Sequence, residues 1–138
     1  MDDDLERLAE CDLVIEAVPE RMDIKQSVYN KITPHLSDTC ILASNTSGLS
    51  IAAMNDTLPE EIQPRFLVMH FFNPVRYMRL LELVAGPKTD PAVMDQVAAF
   101  GEFLGKGIVY GKDTANFVAN RIGVYGMMQT FSALTDFG

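Results

Sequence analysis

The chain has 138 residues, the length of one ordinary domain and too short for two complete ones. Apolar residues make up 48% and charged residues 22%, which excludes a disordered, collagen-like or disulfide-scaffold protein. The net charge is −8, and the first 20 residues hold eight acids against one base while the remainder is nearly neutral. This balance excludes bulk attraction to nucleic acid or to an anionic membrane surface. No apolar run approaches the roughly 18 residues that a membrane span needs.

The cysteines and histidines do not form a recognisable metal or disulfide pattern. Cys11 and Cys40 make no Cys-x-x-Cys pair, and His35 and His70 lie in no metal-ligand cluster. We therefore expect buried thiols in a reducing compartment and no metal. Because no positively charged start precedes an apolar segment, we predict no signal peptide and a cytoplasmic location.

Strand and helix patterns alternate along the chain. In chain order we predict a polar helix at Asp3–Glu10, a strand at Leu13–Ala17, a helix at Met22–Leu36, a strand at Cys40–Ala43, a helix at Ile51–Leu58, strands at Phe66–Phe72 and Arg79–Val84, a helix at Pro91–Leu104, a strand at Gly107–Tyr110 and a helix beginning near Phe117. Leu13–Ala17 is apolar and β-branched, which is typical of a parallel strand buried on both faces. The alternation predicts a mostly parallel α/β sheet.

The final helix, about Asn116–Phe137, is apolar through much of its length, which is typical of a buried helix. No later element follows against which it could pack, except the same helix of a second copy. The candidate domain boundary is Gly111–Asn116, between the last strand and this helix.

Polar side chains follow three of the predicted strands. The first strand runs into Glu16–Glu20, the second into Ser44–Ser47 and the third into His70–Pro74. Ligands of open parallel sheets bind beyond the carboxyl ends of the strands, so these segments predict a binding cleft. Hydroxyl and amide groups there suit a ribose, a carbonyl or an alcohol, and a histidine can move a proton near neutral pH.

Glu82 is the natural partner of His70. It stands among leucines, where a carboxylate is costly to bury unless it is paired. A short connection between two neighbouring strands could place it beside the imidazole, whose tautomer it would then fix. The spacing alone also allows a solvent-facing Glu82 on an edge strand and a structural His70 in the core.

Four segments together resemble the L-3-hydroxyacyl-CoA dehydrogenase family, and the likeness covers nearly the whole chain. They are Asp12-Leu-Val-Ile-Glu-Ala-Val-Pro-Glu20, Ser44-Asn-Thr-Ser47, His70-Phe-Phe-Asn-Pro-Val75 with Leu-Leu-Glu82 behind it, and Lys112-Asp-Thr-Ala-Asn-Phe-Val-Ala-Asn-Arg121. The segment Arg76–Val84 looks most like bacterial multifunctional forms that fuse this dehydrogenase to an enoyl-CoA hydratase.

The resemblance implies a reaction and a set of catalytic residues. The reaction is the NAD-dependent oxidation of (S)-3-hydroxyacyl-CoA to 3-oxoacyl-CoA in fatty-acid β-oxidation. His70 would be the general base and Glu82 would orient it. Ser47 and Asn120 would contact the substrate, and an acyl-CoA substrate and a homo-oligomer are implied as partners.

The resemblance also implies a cofactor site for NAD; NAD is favoured over NADP by the resemblance alone. The implied cofactor-binding residues are Val18, Pro19, Glu20, Lys25, Ser47 and Asn73. Lys25 has the alternative reading of a solvated charge on a helix face.

Parts of the family pattern are missing from this sequence. It has no Gly-rich G-x-G-x-x-G turn, which holds the cofactor pyrophosphate in the family. We therefore expect residues 1–111 to form the second half of a Rossmann-type NAD-binding domain, and residues 112–138 to begin an all-α C-terminal domain. Such a fragment would bind NAD weakly and be inactive alone. Asn116 stands where the family usually has Gly, and Asn is the best substitute at a positive φ.

Two other hypotheses stay open at this point. The chain could be a non-catalytic, truncated module that self-associates through an open sheet edge or the final helix. It could also be a different Rossmann reductase, of the hydroxyisobutyrate or phosphogluconate type. Those enzymes use a catalytic Lys in the helical region, and the spacing of His70 and Glu82 does not suit them.

Overall fold

The computed structural model describes residues 2–137, which fold as an α/β structure around one five-stranded sheet. The strands are β1 (Leu13–Glu16), β2 (Ile41–Ser44), β3 (Phe66–Phe71), β4 (Leu80–Ala85) and β5 (Gly107–Gly111). Their spatial order is β1-β2-β3-β4-β5, and only β3 and β4 pair antiparallel. The predicted α/β class and mostly parallel sheet are confirmed.

Within residues 2–137, four α-helices and three 3₁₀ segments accompany the strands. The α-helices are α1 (Met22–Ile32), α2 (Ile51–Asn55), α3 (Pro91–Phe103) and α4 (Ala119–Phe137), and the 3₁₀ segments are Asp2–Glu10, Thr33–His35 and Gln63–Arg65. α1 is shorter than predicted because Pro34 removes a main-chain donor and turns the chain into the second 3₁₀ segment. α3 starts as predicted, with Pro91 in its first turn and Asp90 accepting from the Ala92 N–H at 2.8 Å.

The sheet is covered on both faces because successive residues of a strand point to opposite sides. In β3, Phe66 and Val68 join a cluster with residues of α1 and α2, whereas Leu67 and Met69 join a cluster with α3. Phe117, just before α4, belongs to the first cluster and is 2% exposed. These two apolar layers fix the sheet and leave its carboxyl edge for polar groups.

Two predictions about burial were wrong. Leu13–Ala17 is not buried on both faces, since Ile15 of β1 is 38% exposed. β1 is an edge strand of the described sheet, and the cluster that includes residues of α3 reaches it only through partly buried Leu13. The final helix is not buried either, because its side chains from Arg121 to Thr135 are exposed.

The segment before α4 has an unusual backbone. Asn116 has φ 64° and Phe117 has φ 46°, both in the left-handed region that side chains other than Gly rarely adopt. The positive φ expected at Asn116 is therefore confirmed, and α4 begins two residues later than predicted. No helix in residues 2–137 is long and apolar enough to cross a membrane.

Candidate active site

The pair formed by His70 and Glu82 lies on the neighbouring strands β3 and β4. The antiparallel register of β3 and β4 places the two residues directly opposite each other. His70 Nδ1 lies 2.7 Å from Glu82 Oε2, and the two residues are 4% and 0% exposed. Because a carboxylate accepts hydrogen bonds, the geometry favours a proton on Nδ1 and a lone pair on Nε2.

The second oxygen of Glu82 is held by the start of α4. Glu82 Oε1 accepts from the Val118 N–H at 2.9 Å and from the Ala119 N–H at 2.8 Å. The first N–H groups of a helix have no partner within it, and a carboxylate is favoured there. Both oxygens of this buried carboxylate are thereby satisfied, which fixes the side chain that faces His70.

Two aromatic rings enclose the imidazole of His70. Its ring centroid lies 4.4 Å from that of Phe72 and 5.9 Å from that of Phe117. Such packing limits ring rotation and shields the pair from water on those sides. The arrangement can hold one ring nitrogen in place and present the other to a ligand.

Ser47 lies in the loop that follows β2, and Asn120, in the first turn of α4, lies against that loop. Ser47 is exposed, and its carbonyl oxygen accepts from Asn120 Nδ2 at 3.4 Å. The Ser47 N–H donates to Glu20 Oε1 at 2.9 Å, which links this loop to the segment after β1. Asn45 Oδ1 accepts from the Phe71 N–H at 2.9 Å, so the same loop is also tied to the residue that follows His70.

The remaining predicted cofactor-binding residues differ in how far they are exposed to solvent. Val18 is half-buried, while Pro19 and Asn73 are exposed after β1 and β3, respectively. Lys25 is 1% exposed, and its Nζ lies 2.7 and 3.0 Å from the carboxylate oxygens of Glu16 and 3.6 Å from Glu20 Oε2. The reading of Lys25 as a solvated charge was therefore wrong. Lys25 is buried against the carboxylate of Glu16 at the end of β1.

The cluster that Lys25 completes was not predicted from the sequence. Glu16, 4% exposed, accepts from the Val18 N–H at 2.7 Å, from Tyr29 Oη at 2.8 Å and from Ser44 Oγ at 2.8 Å, besides Lys25. Two signals could have found it. A carboxylate at the end of an apolar strand needs partners, and Lys25 and Tyr29 are four residues apart on one helix face.

The hydrogen bonds determine the ionisation of this cluster. Burial alone would raise the pKa of Glu16, but donors on Lys25, Tyr29, Ser44 and the Val18 main chain outweigh it and hold that pKa below its ordinary value of 4.5. Burial raises the pKa of Tyr29, and the nearby Glu16 carboxylate raises it further. Its hydroxyl consequently remains a donor to Glu16.

Across residues 2–137 no group of three or more His, Cys, Asp or Glu side chains could hold a metal ion. The chemistry available at the edge is proton transfer at His70 and hydrogen bonding from hydroxyl, amide and main-chain groups.

Comparisons with known proteins agree with this architecture. Similar solved structures include that of (S)-3-hydroxybutyryl-CoA dehydrogenase from Ralstonia eutropha. It matches with a TM-score of 0.89 and 35% identity, over 96% of this chain and 46% of that one. A probable 3-hydroxyacyl-CoA dehydrogenase of Bacillus subtilis is 42% identical over the whole chain and 18% of the relative. A putative fatty acid oxidation complex trifunctional enzyme of Rickettsia felis is 45% identical over 91% of the chain and 18% of the relative.

The chain thus spans less than a fifth of the length of these two curated relatives. Residues 1–114 match the family model described as 3-hydroxyacyl-CoA dehydrogenase, NAD binding domain. The chain belongs to the family of NAD-binding domains of 3-hydroxyacyl-CoA dehydrogenases.

Proposed function

We propose that this chain carries the catalytic centre of an NAD-dependent dehydrogenase that oxidises (S)-3-hydroxyacyl-CoA to 3-oxoacyl-CoA in fatty-acid β-oxidation. The observation that carries the proposal is the buried hydrogen bond of 2.7 Å between His70 Nδ1 and Glu82 Oε2. A histidine held in one tautomer at the carboxyl edge of an NAD-binding sheet is suited to remove a proton from an alcohol. Family membership supports the same reaction.

In the proposed reaction His70 is the general base. Nε2 takes the proton from the 3-hydroxyl, the carbonyl bond forms between that oxygen and C3, and the hydrogen on C3 leaves with its electron pair. Bound NAD supplies the hydride acceptor. Glu82 keeps Nδ1–H in place and stabilises the positive charge that His70 gains.

We assign Ser47 and Asn120 to the substrate oxygen. Ser47 is exposed, and Asn120 lies against the same loop from the first turn of α4. Hydrogen bonds from a hydroxyl and an amide would favour the oxygen as it becomes a carbonyl. Because Asn120 follows residue 111, this proposal needs both the sheet domain (1–111) and the start of the helical domain (112–138).

The cofactor would bind across the ends of β1 and β2. The loops there present Val18, Pro19, Glu20 and Ser47, whose mixture of apolar and hydrogen-bonding surface fits the nicotinamide and its ribose. Asn73 would border the nicotinamide. We assign Lys25 to this site through Glu20, since its Nζ lies 3.6 Å from Glu20 Oε2 and is buried.

Without a G-x-G-x-x-G turn, the 138 residues alone are expected to bind NAD weakly and to be inactive. The substrate is an acyl-CoA, in keeping with the names of the relatives. We place the protein in the cytoplasm, which suits the free thiols of Cys11 and Cys40.

The proposal is tested by replacing His70 in the complete gene product that contains these residues. His70→Gln keeps a side-chain amide near Glu82 but removes the base, so kcat for oxidation of (S)-3-hydroxybutyryl-CoA should fall by about 10² to 10⁴. The rate is followed by the absorbance of the reduced nicotinamide. His35→Gln, at the chain's other histidine, is the matched control and should keep wild-type kcat. Equal rates for the two variants would refute the assignment.

A second proposal is self-association through α4. Met127, Met128, Phe131 and Leu134 are each more than half exposed, although their three- and four-residue spacing places them on one face of the helix. A second copy of this chain could cover that face. Sedimentation at several concentrations should show a larger species that Phe131→Lys abolishes; a monomer at every concentration would contradict it.

A further inference from the structure

One acidic side chain outside the proposed catalytic centre joins two distant parts of the chain. Asp113 lies between β5 and α4, and its carboxylate accepts from Ser50 Oγ at 3.0 Å, the Ile51 N–H at 3.1 Å and the Ala52 N–H at 3.0 Å. These donors belong to the start of α2, which follows the Ser47 loop. A single carboxylate thus fastens the segment before α4 to the sheet domain.

The same segment touches the sheet domain at a second point. A Cβ placed on Gly48 would lie 3.0 Å from both Asn116 N and Asn116 Oδ1. Gly48 therefore permits a close approach of backbone to backbone that a larger residue would prevent. Asn116 and Phe117 then take their positive φ values, and the chain arrives at Val118 with its N–H directed at Glu82.

The position of α4 depends on this short stretch. Its side chains from Arg121 to Thr135 are exposed, so packing along its length does not hold it against the sheet. Its first turn nevertheless supplies both N–H donors to Glu82 Oε1. Whatever fixes that turn also fixes the carboxylate that orients His70.

We propose that Asp113 is a positioning residue, which holds the start of α4 against Glu82 and thereby sets the orientation of His70. The inference rests on the proposed role of the His70–Glu82 pair. A role confined to capping α2 is less suited to the geometry, because Ser50 Oγ already accepts from the Ala53 N–H at 3.3 Å. The coupling runs through Asp113, the Asn116–Phe117 turn and the Glu82 carboxylate.

The test uses nuclear magnetic resonance of the isotope-labelled chain and needs no enzymatic activity. In Asp113→Ala the His70 Nδ1–H resonance should shift upfield and broaden. The amides of Val118 and Ala119 should exchange about tenfold faster with solvent, which corresponds to losing about 1.4 kcal/mol. Asp113→Asn keeps one acceptor oxygen and should give a smaller change of the same kind.

Ser50→Ala is the matched control. It removes a cap of α2 and one donor to Asp113 but leaves Asp113 bonded to the Ile51 and Ala52 N–H groups, so the His70 resonance should stay in place. If Asp113→Ala and Ser50→Ala have equal effects on His70, or if neither has one, the proposal is overturned and Asp113 is only a cap.

Gly48→Ala provides a second route should Asp113→Ala fail to fold. Its methyl group would press on Asn116, and it should move the same His70 and Val118 signals. Unchanged signals in a folded Gly48→Ala chain would also overturn the proposal. Because these readouts report geometry, their failure is distinguishable from that of the proposed reaction, which the kinetics of His70→Gln tests.

Discussion

Two buried carboxylates lie at the same edge of the sheet, and they differ in what their partners leave available. Glu16 accepts from four groups, including Lys25 Nζ, and Lys25 is itself 1% exposed. Glu82 accepts from three groups, and one of them is an imidazole with a second nitrogen. The Glu16 cluster closes around its carboxylate and stabilises the fold, whereas the Glu82 cluster includes His70, whose second ring nitrogen acts in the proposed reaction.

The largest expected effect is on stability, from breaking the closed cluster. Lys25→Met leaves the buried Glu16 carboxylate without its cation, and such losses cost about 3 to 5 kcal/mol of unfolding free energy. Urea denaturation followed by circular dichroism measures the difference. A drop of that size, together with a much smaller drop for His70→Gln, would support the contrast between the two clusters.

The control for Lys25→Met is an ion pair at the surface. Arg21 Nη2 lies 2.6 Å from Asp23 Oδ2, and the two side chains are 67% and 65% exposed. Exposed ion pairs contribute about 0 to 1 kcal/mol to the free energy of unfolding. Arg21→Met should therefore barely move the urea midpoint. Similar losses for Arg21→Met and Lys25→Met would mean that burial does not distinguish them, which contradicts the closed-cluster interpretation.

Acid should reveal the same contrast with a smaller effect. The pKa of Glu16 is lowered in the folded state from its ordinary value of 4.5, so the folded chain binds fewer protons than the unfolded one. The stabilisation from Glu16 is present above that ordinary value and is lost as the pH falls through the lowered pKa. The free energy of unfolding should decline below about pH 4.5, and Glu16→Gln should flatten part of that decline.

Asp23→Asn is the matched control for the acid titration. Asp23 is an exposed carboxylate in the first turn of α1, the helix that also carries Lys25 and Tyr29. It should leave the decline with pH nearly unchanged. If Glu16→Gln and wild type lose stability with the same slope, the hydrogen bonds to Glu16 do not hold its pKa low, and the acid sensitivity comes from other carboxylates.

The two clusters also differ in how far the sequence could predict them. His70 and Glu82 belong to strands joined by a short connection, so their spacing in the sequence could predict that they meet. The register of β3 and β4 places them opposite each other. The partners of Glu16 come from helix packing over a strand, which periodicity alone does not specify. The exposure of Ile15 was missed for a related reason, because neighbouring elements decide which face of a strand is covered.

The turn before α4 was expected from the family resemblance, in which Asn116 stands where Gly is usual, and its variants give the smallest expected effect. Asn116 has φ 64°, where Asn costs less than Ala because its side chain tolerates the left-handed region. Asn116→Ala should therefore lower the unfolding free energy by about 1 kcal/mol, and Asn116→Gly should change it by less. Urea denaturation measures both, with Ala115→Gly as a control for added backbone freedom at the neighbouring residue.

The Asn116–Phe117 turn positions donors to Glu82 and none of the donors to Glu16. Variants of the turn can therefore test whether the two clusters respond independently. If Asn116→Ala shifts the turn, the Val118 and Ala119 N–H groups move relative to Glu82, while the donors to Glu16 stay in place. The His70 signals should then change and the acid slope assigned to Glu16 should not. A parallel change in both would mean that the two carboxylates respond as one network, linked through Glu20 and the Ser47 loop.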